Sequence, residues 1–129
     1  MNKPVLLIID DEPEMVDFAA YAGEGIGYKV VASTTSQTFQ KAYLTESPDL
    51  ILMDVAMPDM DAVGLLGWLS DAGNQIPIIL MSGYGDYTLA WANTLGTDMN
   101  MSIQHTLSKP FALEELEKVL SDSMVMIDQ

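Results

Sequence analysis

The chain has 129 residues, about half of them apolar (49%), which is one domain by length with material for a sizeable core. Five lysines and no arginine stand against 19 acidic residues, a net charge of −14. That excludes a basic stripe for nucleic acid, attraction to an anionic membrane surface and Arg-clamped phosphate recognition. With no cysteine and one histidine, disulfides, thiol catalysis, Cys-based zinc sites and a polyhistidine metal site within one chain are also out.

The first predicted element is a strand at Val5-Leu6-Leu7-Ile8-Ile9, ending in Asp10-Asp11. This run is too short for a signal core or a spanning helix, so a cytoplasmic protein is expected. A helix is predicted over 13–23, with Pro13 suited to its first turn and Met15, Val16, Ala19, Ala20 and Ala22 on one side. Strands are predicted at 28–33, at 50–53 ending in Asp54, at 76–81 ending in Ser82-Gly83, and more weakly at 102–107 ending at Ser108-Lys109-Pro110. Between and after them, helices are predicted over 36–45, 62–71, 86–95 with Gly96 as the stop, and 112–126. Runs apolar on both faces mark strands buried in a parallel sheet. Five strands alternating with five helices predict a doubly wound α/β fold. No repeat, linker or low-complexity tract interrupts the pattern.

In such folds ligands bind beyond the carboxyl ends of the strands. Those ends carry Asp10, Asp11, Asp54, Ser82 and Lys109. Each alone reads as a cap, a turn former or a solvated charge. Their coincidence at four strand ends points instead to a site. Lys109 is the only cation between Lys41 and Lys118, an interval holding 11 acidic residues. Clustered carboxylates stay ionised together only with positive charge between them, and a hard divalent cation such as Mg2+ supplies it. Mg2+, an ammonium and a hydroxyl could together neutralise phosphoryl oxygens, with a carboxylate as nucleophile.

The residues that carry this chemistry resemble the receiver domain of two-component response regulators, along essentially the whole chain and in the family's order. The matching stretches are Val5 to Pro13 with Asp10-Asp11, Leu50 to Asp61 with Asp54-Val55-Ala56-Met57-Pro58-Asp59-Met60-Asp61, Pro77 to Gly83, and Leu107-Ser108-Lys109-Pro110-Phe111. The resemblance implies a flavodoxin-like sheet of order 2-1-3-4-5 and one receiver domain over residues 1–129. It implies that Asp54 accepts the phosphoryl group. It further implies Mg2+ on Asp11, Asp54 and the Ala56 backbone carbonyl, with Asp10 assisting through water. Lys109 and Ser82 would hold the phosphoryl oxygens and start the switch, and the Lys109–Pro110 bond would be cis. The implied donor is a sensor histidine kinase or a histidine phosphotransfer protein. The implied output is an unknown downstream protein on the face formed by 86–95, 102–107 and 112–126. His105 is not a donor histidine but a partly exposed strand residue.

Four positions depart from the family pattern. Ala62 stands where glycine is common, Ser82 where threonine is common, and Thr106 where an aromatic reports the switch. The segment between Ser82 and Lys109 is about five residues longer than usual, with the excess at Gly96–Met101. Ala56 and Tyr84, two residues beyond Asp54 and Ser82, imply slow self-dephosphorylation. Met99, Met101, Met124 and Met126 fit either an adaptable partner face or gap-filling core. Alternatives are a receiver excised from a larger regulator, for example one with a cyclic-di-GMP phosphodiesterase output, a small aspartyl-phosphate phosphohydrolase, or a constitutive interaction module. The phosphohydrolase lacks a second Asp at Ala56, so turnover is not expected. A flavodoxin-like carrier would find its phosphate repelled by Asp10-Asp11-Glu12.

Overall fold

In the computed structural model, residues 3–55, 62–83, 90, 94 and 96–127 are described. The strands are β1 (Val5–Ile9), β2 (Lys29–Ser33), β3 (Leu50–Asp54), β4 (Ile78–Ser82) and β5 (Ile103–Ser108). The helices described in full are α1 (Pro13–Ile26), α2 (Ser36–Glu46), α3 (Ala62–Asp71) and α4 (Leu113–Ile127). Ala90, Thr94 and residues 96–98 are also helical; the rest of the helix expected over 86–95 lies outside the described residues.

All strand pairs are parallel, in the order β2-β1-β3-β4-β5. Both sheet faces are covered, which explains strands without polar alternation. Leu6, Ile8, Leu50, Leu52, Ile79 and Met81 pack against α1 and α4. Leu7, Ile9, Ile51, Met53, Ile78 and Leu80 pack against Phe39 of α2 and Leu65, Leu66 and Leu69 of α3.

Several boundaries differ from the sequence expectation for identifiable reasons. α1 runs on to Ile26 through Gly23 and Gly25. Gly23 lets α1 lie close on the sheet, since a Cβ there would be 2.9 Å from Leu6 Cδ2 and 3.0 Å from Val30 Cγ2 and would push them aside. The helix ends at Gly27, whose φ of 121° lies in the region glycine favours. Tyr28, expected in β2, is buried just before it and donates its hydroxyl to the Leu120 carbonyl of α4 at 2.8 Å.

Gly96 is not a helix stop. It is helical and buried, and a Cβ there would lie 2.9 Å from Ile103 Cδ1. The stop is Asn100, at φ 63°, where Asn100 N–H donates to the Thr97 carbonyl and Met101 N–H to the Gly96 carbonyl, both at 2.9 Å. This is a Schellman-type cap built on asparagine. Met101 enters the core, and Met99 and Met124 pack against it, whereas Met126 is exposed. Three of the four methionines are therefore core material. Trp68 is partly buried and meets Tyr43 edge-on, with ring centroids 5.4 Å apart. No described helix is long and apolar enough to cross a membrane.

Candidate phosphoacceptor site

The parallel register brings the strand ends together. β1 pairs with both β2 and β3, so Asp10 leaves the sheet between Ser33 and Asp54. Asp10 N–H donates to the Ser33 carbonyl at 3.2 Å, and Ser33 Oγ donates to the Ile8 carbonyl at 2.6 Å. These bonds fix where β1 ends. Asp54 pairs with Met81, one residue before Ser82, and Ser82 pairs with Ser108. Lys109 N–H donates to the Ser82 carbonyl at 2.7 Å, carrying the ladder one residue beyond β5. The Lys109–Pro110 peptide is cis.

The side chains converge as their strand ends do. Lys109 Nζ donates to Asp10 Oδ2 at 2.7 Å, to Asp54 Oδ2 at 3.1 Å and to Glu12 Oε1 at 3.4 Å. Asp10, Asp54 and Ser82 are buried, and the Lys109 side chain is 14% exposed. Burial draws the Lys109 ammonium towards deprotonation. The hydrogen bond to Asp10 and the charges of Asp54 and Asp10 outweigh that, leaving its pKa above 10.5. Asp11 is half-buried beside them. Its carboxyl is held above the ordinary 3.8 by burial first and then by repulsion from Asp10.

One carboxylate oxygen from each of Asp10, Asp11, Glu12 and Asp54 lies within 4.8 Å of the others. Four carboxylates less one ammonium leave three negative charges unbalanced. The donor set is all hard oxygen and its charge is unbalanced; both fit a small divalent cation and no soft metal.

The structure thus brings Asp10, Asp11, Asp54 and Lys109 into one cluster and ends β4 beside it with Ser82. Ala56 and Tyr84 lie outside the described residues. Sequence reasoning counted Glu12 only among the charges that would repel a flavin phosphate and missed its contact with Lys109. It occupies the N-cap of α1, where Ser, Thr, Asp or Asn normally bond the helix N–H groups. Its side chain makes no capping bond and reaches Lys109 instead. The signal was there, a long carboxylate at a position that favours short ones.

Beside the cluster opens a cavity of about 500 Å³, with apolar walls from Met15, Phe18 and Phe111 and with Glu12, Glu14 and Lys109 at its polar side. Phe18 and Phe111 meet with ring centroids 6.2 Å apart, joining α1 to the segment after Pro110.

Residues 6–121 match the response regulator receiver domain family. Among curated relatives, the chain is 28% identical over 116 residues to the alkaline phosphatase synthesis transcriptional regulatory protein PhoP of Bacillus subtilis, covering 90% of this chain and 46% of that one. It is 30% identical over 117 residues to the probable transcriptional regulator ycf27 of Cyanophora paradoxa, covering 91% and 46%. The chain therefore spans about half the length of these relatives. Among solved structures, a response regulator from Colwellia psychrerythraea superposes with a TM-score of 0.85 at 26% identity, over 97% of this chain and 99% of that one. A CheY-like receiver domain protein from Methanospirillum hungatei shares the fold with a TM-score of 0.83 at 20% identity, over 98% of both chains. The order of strands, the acidic strand-end cluster and the match over residues 6–121 lead to one conclusion: the chain belongs to the response regulator receiver domain family.

Proposed function

We propose that this chain is a phosphoacceptor switch in which Asp54 takes a phosphoryl group from a phosphohistidine. The observation that carries this reading is the buried contact of Lys109 with both Asp10 and Asp54 at the sheet edge. An Asp54 oxygen bonds to phosphorus as the phosphorus–nitrogen bond of the donor breaks, and the imidazole nitrogen leaves with the bonding pair. Lys109, already 3.1 Å from Asp54, follows the charge onto the phosphoryl oxygens. Ser82 ends β4 one residue past the partner of Asp54 and donates its hydroxyl to the same group. Asp11 and Asp54, with the Ala56 carbonyl and with Asp10 through water, would hold Mg2+. When bound, Mg2+ neutralises the carboxylates and the developing phosphoryl charge.

The donor is a sensor histidine kinase or a histidine phosphotransfer protein, and the chain works in the cytoplasm. Phosphorylation adds charge and three acceptor oxygens and shifts the population toward a state that binds a downstream protein. The face formed by β5, α4 and the segment before β5 carries that output. Turnover chemistry is not part of this reading, because no general acid is assigned beside Asp54.

Incubation with acetyl phosphate and Mg2+, followed by intact mass measurement, tests it. A gain of one phosphoryl group in the native protein and none in Asp54→Ala is expected. No gain in the native protein, or an equal gain in Asp54→Ala, overturns it.

A further inference from the structure

The three carboxylates that hold Lys109 are not equivalent. Asp10 and Asp54 are buried, whereas the Glu12 side chain is 67% exposed and makes the longest contact, 3.4 Å. An exposed ion pair contributes little, while a buried hydrogen-bonded pair is costly to break. A phosphoryl group entering beside Asp54 must take donor hydrogens from Lys109. Glu12 is the partner that can yield them by swinging into water.

Glu12 is also held where it can exert its charge. Its N–H donates to Asp10 Oδ1 at 2.9 Å, anchoring its backbone to the cluster while its side chain stays free of capping duty. With Glu14 it forms the negative side of the cavity that opens onto Lys109.

We infer that Glu12 is a specificity-determining residue: its carboxylate screens Lys109 and disfavours small, highly charged phosphodonors that approach through this cavity. The inference rests on Asp54 being the phosphoacceptor. In the step concerned, an Asp54 oxygen bonds to phosphorus and the donor's bond to phosphorus breaks. Acetate leaves acetyl phosphate with the bonding pair, and ammonia, already protonated in the zwitterion, leaves phosphoramidate. Acetyl phosphate arrives as a dianion and phosphoramidate as a monoanion, so the repulsion from Glu12 acts more strongly on the first. Coulomb energies in water at these separations correspond to a rate effect of roughly three- to tenfold for a dianion, falling as salt shortens the screening length.

The experiment measures phosphorylation rates at low and high ionic strength with Mg2+, using both donors, for the native protein, Glu12→Gln and Glu24→Gln. Glu24 is exposed near the far end of α1 and controls for net charge alone. Glu12→Gln is expected to raise the acetyl phosphate rate roughly three- to tenfold, to raise the phosphoramidate rate less, and to lose most of its advantage at high salt. Glu24→Gln stays near the native rate. Phosphorylation of the native protein with no difference between donors in Glu12→Gln, or an equal rise in Glu24→Gln, overturns the inference and leaves the phosphoacceptor reading standing. A native protein and a Glu12→Gln variant both inert to both donors overturn the two together. Inert native protein with a reactive Glu12→Gln variant supports the screen in its strongest form.

Discussion

At the scale of single residues, the site is a charge problem that one lysine solves in part. Asp10 and Asp54 are buried side by side with Lys109 as their shared donor. Removing one partner of such a group leaves an uncompensated buried charge, which costs about 3–5 kcal/mol. Lys109→Ala should lower stability by about 3 kcal/mol in urea unfolding, and adding Asp10→Asn should restore part of it. An unchanged midpoint in Lys109→Ala would contradict the burial argument. Because the Lys109 pKa is raised above 10.5, its contribution is fully present below that pH and fades only as pH climbs through the folded value. Asp11 shifts in the same direction, but there the charged form is the one the fold disfavours. Its folded pKa lies above 3.8, so the folded state binds that proton more readily than the unfolded chain does. Stability then rises as pH falls through the folded value and is lower once Asp11 ionises. Metal-free Asp11→Asn should be more stable than the native protein at neutral pH, with the difference closing as pH approaches 3.8. A less stable variant at neutral pH would count against it. These roles were readable in part: Asp10, Asp11, Asp54, Ser82 and Lys109 stand at strand ends in the sequence. The selective exposure of Glu12 was not, because it depends on how α1 leaves β1.

At the scale of elements, the apolar runs announced four strands, since a doubly covered parallel sheet leaves no polar alternation to misread, whereas β5, which carries Gln104, His105 and Thr106, was announced only weakly. The glycines were harder, because the same residue ends helices and admits close packing. Gly23 and Gly96 serve packing, while Gly27 turns the chain. Gly25 does neither: nothing lies within 4 Å of a Cβ placed there. This separates two neighbours in one helix. Gly23→Ala should destabilise by about 1–3 kcal/mol through overpacking against Leu6 and Val30. Gly25→Ala should stabilise by about 0.5–1 kcal/mol, because glycine in a helix interior loses more chain entropy on folding. Thermal unfolding of the two variants decides it, and a shared sign would show that the packing distinction is wrong. The bulge in β5, where Ile78 and Ile79 pair with Ile103 and His105, was also invisible in the sequence. It leaves Gln104 over, so that Ile103 packs on the α3 side and Leu107 on the α1 side of the sheet.

At the scale of the molecule, the net charge of −14 sets the conditions under which the fold is stable. A surplus of one sign repels itself and is screened by salt. Part of that surplus is local, in the four-carboxylate cluster, and a cation there should do more than screening alone. Mg2+ should therefore raise the melting temperature beyond NaCl of equal ionic strength, and the excess should vanish in Asp11→Asn. Equal effects of the two salts would argue against a specific site. The fold, the strand-end acids and the lysine were legible because each is a local pattern repeated in chain order. The output was not legible, since Thr106, exposed on β5, stands where the family pattern carries an aromatic and no residue of the chain names a partner. The central claim is that the phosphoryl group resides on Asp54. Borohydride reduction of the acetyl phosphate-treated protein, followed by peptide mass mapping, tests it most directly. Homoserine at position 54 and nowhere else is the predicted result; homoserine at another aspartate, or none in a protein that has gained phosphate, would contradict it.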